Sequence, residues 1–90
     1  MGRNGGDCIN YAVVITYSFD DEVAVYLFAD EEAAKKMLRE SYENEVRIDT
    51  EENGWDVDAV IRDDGWYAKI TDRFHDHENV TEFRIGTVRQ

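Results

Sequence analysis

Residues 30–54 read DEEAAKKMLRESYENEVRIDTEENG and carry the one long helical pattern of this 90-residue chain. Asp30 belongs to a residue type that favours the position before a helix, and Glu31 and Glu32 suit the positive end of the helix dipole. We expect the Asp30 side chain to accept hydrogen bonds from the first turn. Small and apolar residues then recur at helical spacing and predict a packed face, formed by Ala33, Ala34, Met37, Leu38, Ser41 and Tyr42.

The end of this helix is ambiguous between residues 44 and 53. Val46 and Ile48 alternate as in a short strand, but they also extend the helical face. Gly54 is the residue type that ends a helix in the left-handed conformation, which favours continuation toward residue 53. Glu51 and Glu52 would then oppose the helix dipole, and such a local conflict is expected at a functional surface as well as in a solvated loop.

Five segments outside the helix have the alternating or β-rich pattern of strands, at residues 9–17, 23–28, 55–62, 66–74 and 80–88. Acidic turn residues at 18–22 and the Asp63-Asp64-Gly65 triplet predict hairpins. Because residues 23–28 are apolar on both faces, we expect this strand in the sheet interior, under the helix.

These elements predict an α+β fold, a two-layer sandwich of one antiparallel sheet with a long helix across one face, in the chain order β-β-α-β-β-β. Ala68 and Ile70 of the fourth strand and Phe83 and Ile85 of the last are expected in the core. Ninety residues suffice for one domain, which we assign to residues 9–90 after a flexible tail at residues 1–8.

The charge of the chain is concentrated in its middle. Residues 20–64 contain sixteen acidic and five basic side chains, which accounts for the entire net charge of −11. Such a surface opposes direct binding to nucleic acid, which depends on Lys and Arg, and to anionic lipid. The expected partner is therefore the basic surface of a protein, although acidity that serves only dispersion in water is the competing explanation.

Several acids have an evident folding role, in the helix start or in the turns. Eight others have none, and we predict that they bind the partner: Glu40, Glu43, Glu45, Asp49, Glu51, Glu52, Asp56 and Asp58.

Catalytic and metal-binding motifs are sparse. His75 and His77 belong to the one cluster with metal-ligand residue types, but two histidines supply at most half of a closed site. We predict no metal, no cofactor and no enzymatic activity. The lone Cys8 permits no internal disulfide, and a cytoplasmic location is expected.

Four segments of the chain resemble a group of small acidic, uncharacterised proteins of Gram-positive bacteria. These segments are YAVV at residues 11–14, DEVAVYLF at 21–28, RIDTEENGW at 47–55 and DGWYAKI at 64–70. The resemblance covers about residues 10–88 and implies association with mobile elements, without any catalytic residue that it would transfer to this chain.

Three functional hypotheses follow. The first is a non-enzymatic binding protein that imitates the charge array of nucleic acid and inhibits a nuclease, as an anti-CRISPR or anti-restriction protein would. The second is a structural or accessory module that forms a homodimer through its sheet, with acidity serving solubility. The third is a metal-dependent enzyme or sensor that uses His75 and His77.

Overall fold

A computed structural model describes residues 9–74 and 77–89 and shows one five-stranded antiparallel sheet with a helix packed on one side. The predicted α+β class and the order of elements are confirmed. The tail predicted at residues 1–8, with Cys8, lies outside the described residues. In chain order the elements are β1 (Ile9–Tyr17), β2 (Asp20–Phe28), α1 (Glu31–Arg47), β3 (Asp56–Ile61), β4 (Tyr67–Phe74) and β5 (His77–Arg89).

The helix continues beyond α1 as a π-helical segment, Ile48–Glu52, as the pattern up to residue 53 predicts. The Asn53 N–H donates to the Ile48 carbonyl at 2.9 Å, and Gly54 then adopts a left-handed φ of 67°. The helix start differs from expectation, because Asp30 occupies the capping position without a side-chain capping hydrogen bond. Its backbone carbonyl accepts the Ala34 N–H at 3.1 Å instead.

The core lies between α1 and the middle of the sheet. Ala34 and Leu38 project from the helix onto side chains of the central strands, and the members of this cluster are at most 8% exposed. They include the four residues predicted for β4 and β5, and comprise Val13, Ile15, Ala34, Leu38, Ala68, Ile70, Phe83 and Ile85. We call the side of the sheet that α1 covers the helix side, and the other the open side.

The predicted interior position of the second strand is wrong. The strands lie in the order β2-β1-β5-β4-β3, which places β2 at an edge of the sheet. Five strands at about 4.8 Å spacing form a sheet about 20 Å wide, whereas one helix with its side chains is about 10 Å across. The helix therefore covers the middle strands, and Tyr26 on the helix side of β2 is 47% exposed. Val23, Val25 and Leu27 alternate with it, face the open side and are exposed as well.

The last strand begins earlier than predicted. β5 starts at His77 and pairs with β4 up to the Phe74–His77 register, so residues 77–79 belong to the strand and not to a turn. His77 is exposed, whereas His75 lies outside the described residues. The antiparallel pairing also places the ends of distant strands together, which determines where the charged side chains meet.

Candidate functional site

One end of the molecule collects most of the negative charge. The register brings together the end of β1, the starts of β2, β3 and β5, and the end of β4, and the π-helical segment lies against the same end. We call this region the acidic end. Among the described residues it contains Arg47 and Arg73 as its basic side chains, and eleven acids: Asp20, Asp21, Glu22, Glu45, Asp49, Glu51, Glu52, Asp56, Asp58, Asp72 and Glu78.

The eight predicted binding residues do not form one face. Glu40 and Glu43 lie on the exposed side of α1. Asp56 and Asp58 project from the open side of the sheet, because the alternating Val57 of β3 packs against the core on the helix side. The helix and the start of β3 thus present their acids on opposite sides of the sheet.

Two arginines neutralise part of the exposed charge at the acidic end. Arg73 lies 2.9 Å from Asp58 and 3.7 Å from Asp56, and Arg47 lies 3.1 Å from Glu52. These are exposed pairs, whose individual contributions to stability are at most about 1 kcal/mol.

Other predicted binding residues are compensated less by basic side chains. Glu43 lies 3.8 Å from Arg39, whereas Glu40 and Glu51 are exposed and have no basic partner among the described residues. The surface therefore remains anionic after its ion pairs are counted.

Asp49 is not a surface residue. Its side chain is 2% exposed, so its carboxylate does not belong to an exposed charge array. The wider π-helical turn carries Asp49 at the end of the helix, and the Trp55 N–H donates to the Asp49 backbone carbonyl at 2.9 Å as the chain turns toward β3. Asp49 is thereby held against β4 on the helix side.

Asp72 is a neighbour of Asp49 that the sequence patterns were not used to identify as a site residue. It follows Ala68 and Ile70 at the spacing of two that places side chains on one face of a strand, and like them it faces the helix. Its side chain is 4% exposed, and its Oδ1 atom has no hydrogen-bond partner among the described residues. The signal was this alternation, which predicts an inward carboxylate at residue 72.

The two aspartates line a cleft of about 420 Å³ at the acidic end. Glu45 of α1 is the third carboxylate of its lining, and Asn53, Asn79 and Thr81 add polar atoms. The remaining walls are largely apolar and aromatic, with Tyr17, Phe19, Ile48 and Trp55.

The turn between β1 and β2, which contributes Phe19 to the cleft, is attached to β5. The Ser18 N–H donates to the Val80 carbonyl at 2.9 Å, and the Val80 N–H donates to the Ser18 Oγ at 2.8 Å. Tyr17 packs against Phe19 with ring centroids 5.4 Å apart. These contacts position the aromatic wall relative to the carboxylates on the other side of the cleft.

Burial controls the chemistry of the carboxylates. The pKa of Asp49 is raised from its ordinary value of 3.8 to about 7, first by desolvation and then by hydrogen bonding and charge repulsion from the neighbouring carboxyl groups of Asp72 and Glu45. Asp49 therefore holds a proton near neutral pH, because a further negative charge in this buried position is unfavourable. A cation that binds in the cleft can therefore displace this proton.

A second depression, of about 360 Å³, lies between α1 and the turn after β3. Its lining contains Lys35, Lys36 and Arg39 as well as Glu32, Asp63 and Asp64, and Lys35 lies 2.9 Å from Glu31. Charges of both signs compensate one another there, so the cleft at the acidic end is the stronger candidate site.

Comparison of the chain with known protein families, with curated proteins and with solved structures finds no match. Within residues 9–74 and 77–89, no group of three or more His, Cys, Asp or Glu side chains is arranged to hold a metal ion. The helices in that part of the chain lack the length and the apolar content that crossing a membrane requires.

Proposed function

We propose that this chain is a non-enzymatic binding protein that engages the basic surface of a nucleic-acid-binding protein. The observation that carries the proposal is the acidic end, where nine acidic side chains, besides the buried Asp49 and Asp72, lie with two arginines. Carboxylates in such density attract the same Lys and Arg side chains that bind phosphates, with fast and salt-sensitive association. The specific form that we propose is a cytoplasmic anti-CRISPR or anti-restriction inhibitor of a nuclease.

The structure changes which of the eight predicted binding residues we assign to the contact with the partner. The exposed acids Glu51, Glu52, Asp56 and Asp58 lie at the acidic end and are retained. Glu40 and Glu43 lie further along the exposed side of α1 and would extend the contact.

A competition experiment tests this function. Purified nucleases and other nucleic-acid-binding proteins are loaded with fluorescent duplex DNA, and the chain is added at low and high salt. We expect displacement of DNA from a susceptible protein at low salt and its loss at high salt, because screening weakens contacts between exposed charges.

Two triple variants with the same change in net charge locate the contact. Glu51→Gln, Glu52→Gln and Asp58→Asn neutralise the acidic end, whereas the control, Asp30→Asn, Glu32→Gln and Asp63→Asn, neutralises the opposite end of the molecule. The first triple variant should lose displacement and the second should keep it. Equal behaviour of the two, or displacement that ignores salt, would contradict the proposal.

The exposed apolar strand favours a second candidate, a module that forms a homodimer through its sheet. On the open side of β2, Val23, Val25 and Leu27 are 53–58% exposed, and one edge of this strand has no neighbour in the sheet of the described residues. Apolar edge strands of this kind pair readily with a second chain.

Sedimentation velocity distinguishes this candidate. If the sheet dimerises, Val25→Lys should convert the dimer to a monomer. Val60→Lys is the matched control, because Val60 is 59% exposed on the open side but lies on β3, at the other edge. A wild-type protein that sediments as a monomer at high concentration eliminates the dimer.

A further inference from the structure

We infer that the cleft at the acidic end is a binding site for the guanidinium group of an arginine side chain of the partner protein. The inference rests on the proposed function in one respect, that the arginine comes from a basic partner. It adds a defined anchor to what would otherwise be a diffuse attraction between charged surfaces.

The first support is a buried acceptor without a donor. Asp72 lines the cleft, is 4% exposed, and its Oδ1 has no hydrogen-bond partner among the described residues. Buried polar atoms in folded proteins are almost always paired, and an unpaired one destabilises the fold. A donor that enters the cleft would satisfy this atom.

The second support is the charge of the lining. Glu45 of α1, Asp49 of the π-helical segment and Asp72 of β4 line the cleft, and no Lys, Arg or His belongs to the described lining. Tyr17 of β1 is the remaining titratable group of the lining; the side chains from β5, Asn79 and Thr81, are neutral. The required ligand is therefore both a hydrogen-bond donor and a cation.

The aromatic walls select an organic cation. Metal ions need several oxygen ligands converging on one point, and no such group of three acidic, His or Cys side chains occurs among the described residues. Tyr17, Phe19 and Trp55 instead line the cleft together with the carboxylates. Cations that carry a flat or apolar surface bind next to such rings.

Arginine fits this combination better than lysine. A guanidinium group is planar, carries five N–H donors, stacks on aromatic rings and is more weakly hydrated than an ammonium group. Its fork of donors can reach Asp72 and Asp49 together, and the side-chain oxygens of Asn53 and Asn79 provide further acceptors in the lining.

Proton release should accompany binding. The proton that Asp49 holds near neutral pH becomes unfavourable once a fixed positive charge enters the cleft, so binding favours the ionised carboxylate of Asp49. Binding should therefore release up to one proton near neutral pH and strengthen as pH rises from about 6 to 8.

Calorimetry with short capped peptides tests the site on the intact protein. The probes are Gly-Arg-Gly and the neutral isostere Gly-citrulline-Gly, with Gly-Lys-Gly and Ca²⁺ alone as further arms. We expect the arginine peptide to bind at least about tenfold more tightly than the citrulline peptide, as a charge-assisted contact requires. Heats measured in two buffers of different ionisation enthalpy should reveal the released proton.

Variants assign the binding to the cleft. Asp72→Asn and Asp49→Asn keep the side-chain volume, remove a buried charge and should each weaken arginine binding at least about tenfold. Asp63→Asn is the control, since it changes the net charge equally at an exposed position outside the cleft and outside the acidic end. Amide resonances of Thr81 and Trp55 should shift with the arginine peptide, and circular dichroism confirms that each variant is folded.

Defined results would overturn the inference. These are equal binding of the arginine and citrulline peptides, an undiminished affinity in Asp72→Asn, or a response to Ca²⁺ without a response to arginine. The two proposals also fail separately. If the chain binds the arginine peptide but displaces DNA from no protein, the arginine site stands and the proposed inhibitor is contradicted. If Asp72→Asn displaces DNA as fully as the native chain, the proposed inhibitor stands and the cleft is not its anchor.

Discussion

Asp49 and Asp72 line the same buried part of one cleft, although one belongs to the π-helical segment after α1 and the other to β4. Both side chains are almost fully buried. Ionisation of Asp49 in this position lowers stability, because neither water nor a basic side chain of the described residues compensates the charge. Proteins commonly retain this kind of conflict where a ligand resolves it.

The first prediction concerns pH. The folded-state pKa of Asp49, about 7, lies above the ordinary value of 3.8, so the folded chain holds a proton that the unfolded chain has lost. Stability is therefore highest below the unfolded pKa and falls as pH rises through the folded pKa. Between pH 5 and 8 urea unfolding should show a loss of up to about 3 kcal/mol.

Asp49→Asn should remove most of this pH dependence, because the amide does not ionise and its N–H₂ group can donate to Asp72. Asp58→Asn, which changes an exposed carboxylate, should keep it. A stability that is constant from pH 5 to 8 in the native chain would show that Asp49 does not hold a proton in the folded state.

The second prediction contrasts two leucines. Leu38 is 0% exposed at the centre of the helix face, whereas Leu27 on the edge strand β2 is 58% exposed. Leu38→Ala should lower the free energy of unfolding by about 2–5 kcal/mol, because a cavity remains in the core. Leu27→Ala should cost less than about 1 kcal/mol. Denaturation midpoints compare the two directly, and similar losses would mean that β2 is covered in solution.

The third prediction concerns the end of the helix. Gly54 has a φ of 67°, and no atom lies within 4 Å of the position that a Cβ would occupy. Gly54→Ala should therefore destabilise by about 1–2 kcal/mol through backbone strain alone. Gly54→Asn should cost less, since asparagine tolerates the left-handed conformation better. If alanine and glycine proved equally stable at this position, the left-handed turn would not be required.

The fourth prediction uses a polar contact on the open side of the sheet. The Tyr67 hydroxyl donates to Glu82 at 2.6 Å, and this hydrogen bond is the main reason that the pKa of Tyr67 is raised. Tyr67→Phe should lower stability by about 1 kcal/mol at pH 7, because the contact is lost and Glu82 keeps Arg84 alone as its partner at 3.0 Å.

Tyr26→Phe is the control for this hydroxyl deletion. Tyr26 lies 47% exposed on the edge strand β2, so removing its hydroxyl should be nearly neutral. Ultraviolet titration gives a second readout, in which Glu82→Gln should lower the pKa of Tyr67 toward its ordinary value. An unchanged titration would show that the hydrogen bond does not persist in solution.

The sequence by itself determined the elements and much of the core. Alternation along β1, β4 and β5 and helical spacing in α1 are local patterns, and burial follows them because one face of each element must leave water. Gly54 also marked the end of the helix, because the left-handed conformation that ends it depends on the backbone of the glycine itself. The net charge and its concentration in residues 20–64 were also visible without a structure.

The tertiary structure alone decided how the strands are ordered, and with that the site. An apolar strand such as β2 has the same pattern at an edge as in the interior, because pairing partners lie far away in the chain. The same long-range pairing gathered Asp20, Asp21 and Glu22 with Asp56 and Asp58 at the acidic end. It also brought Asp72 against Asp49, 23 residues apart in sequence, so that two ordinary acids became a buried pair.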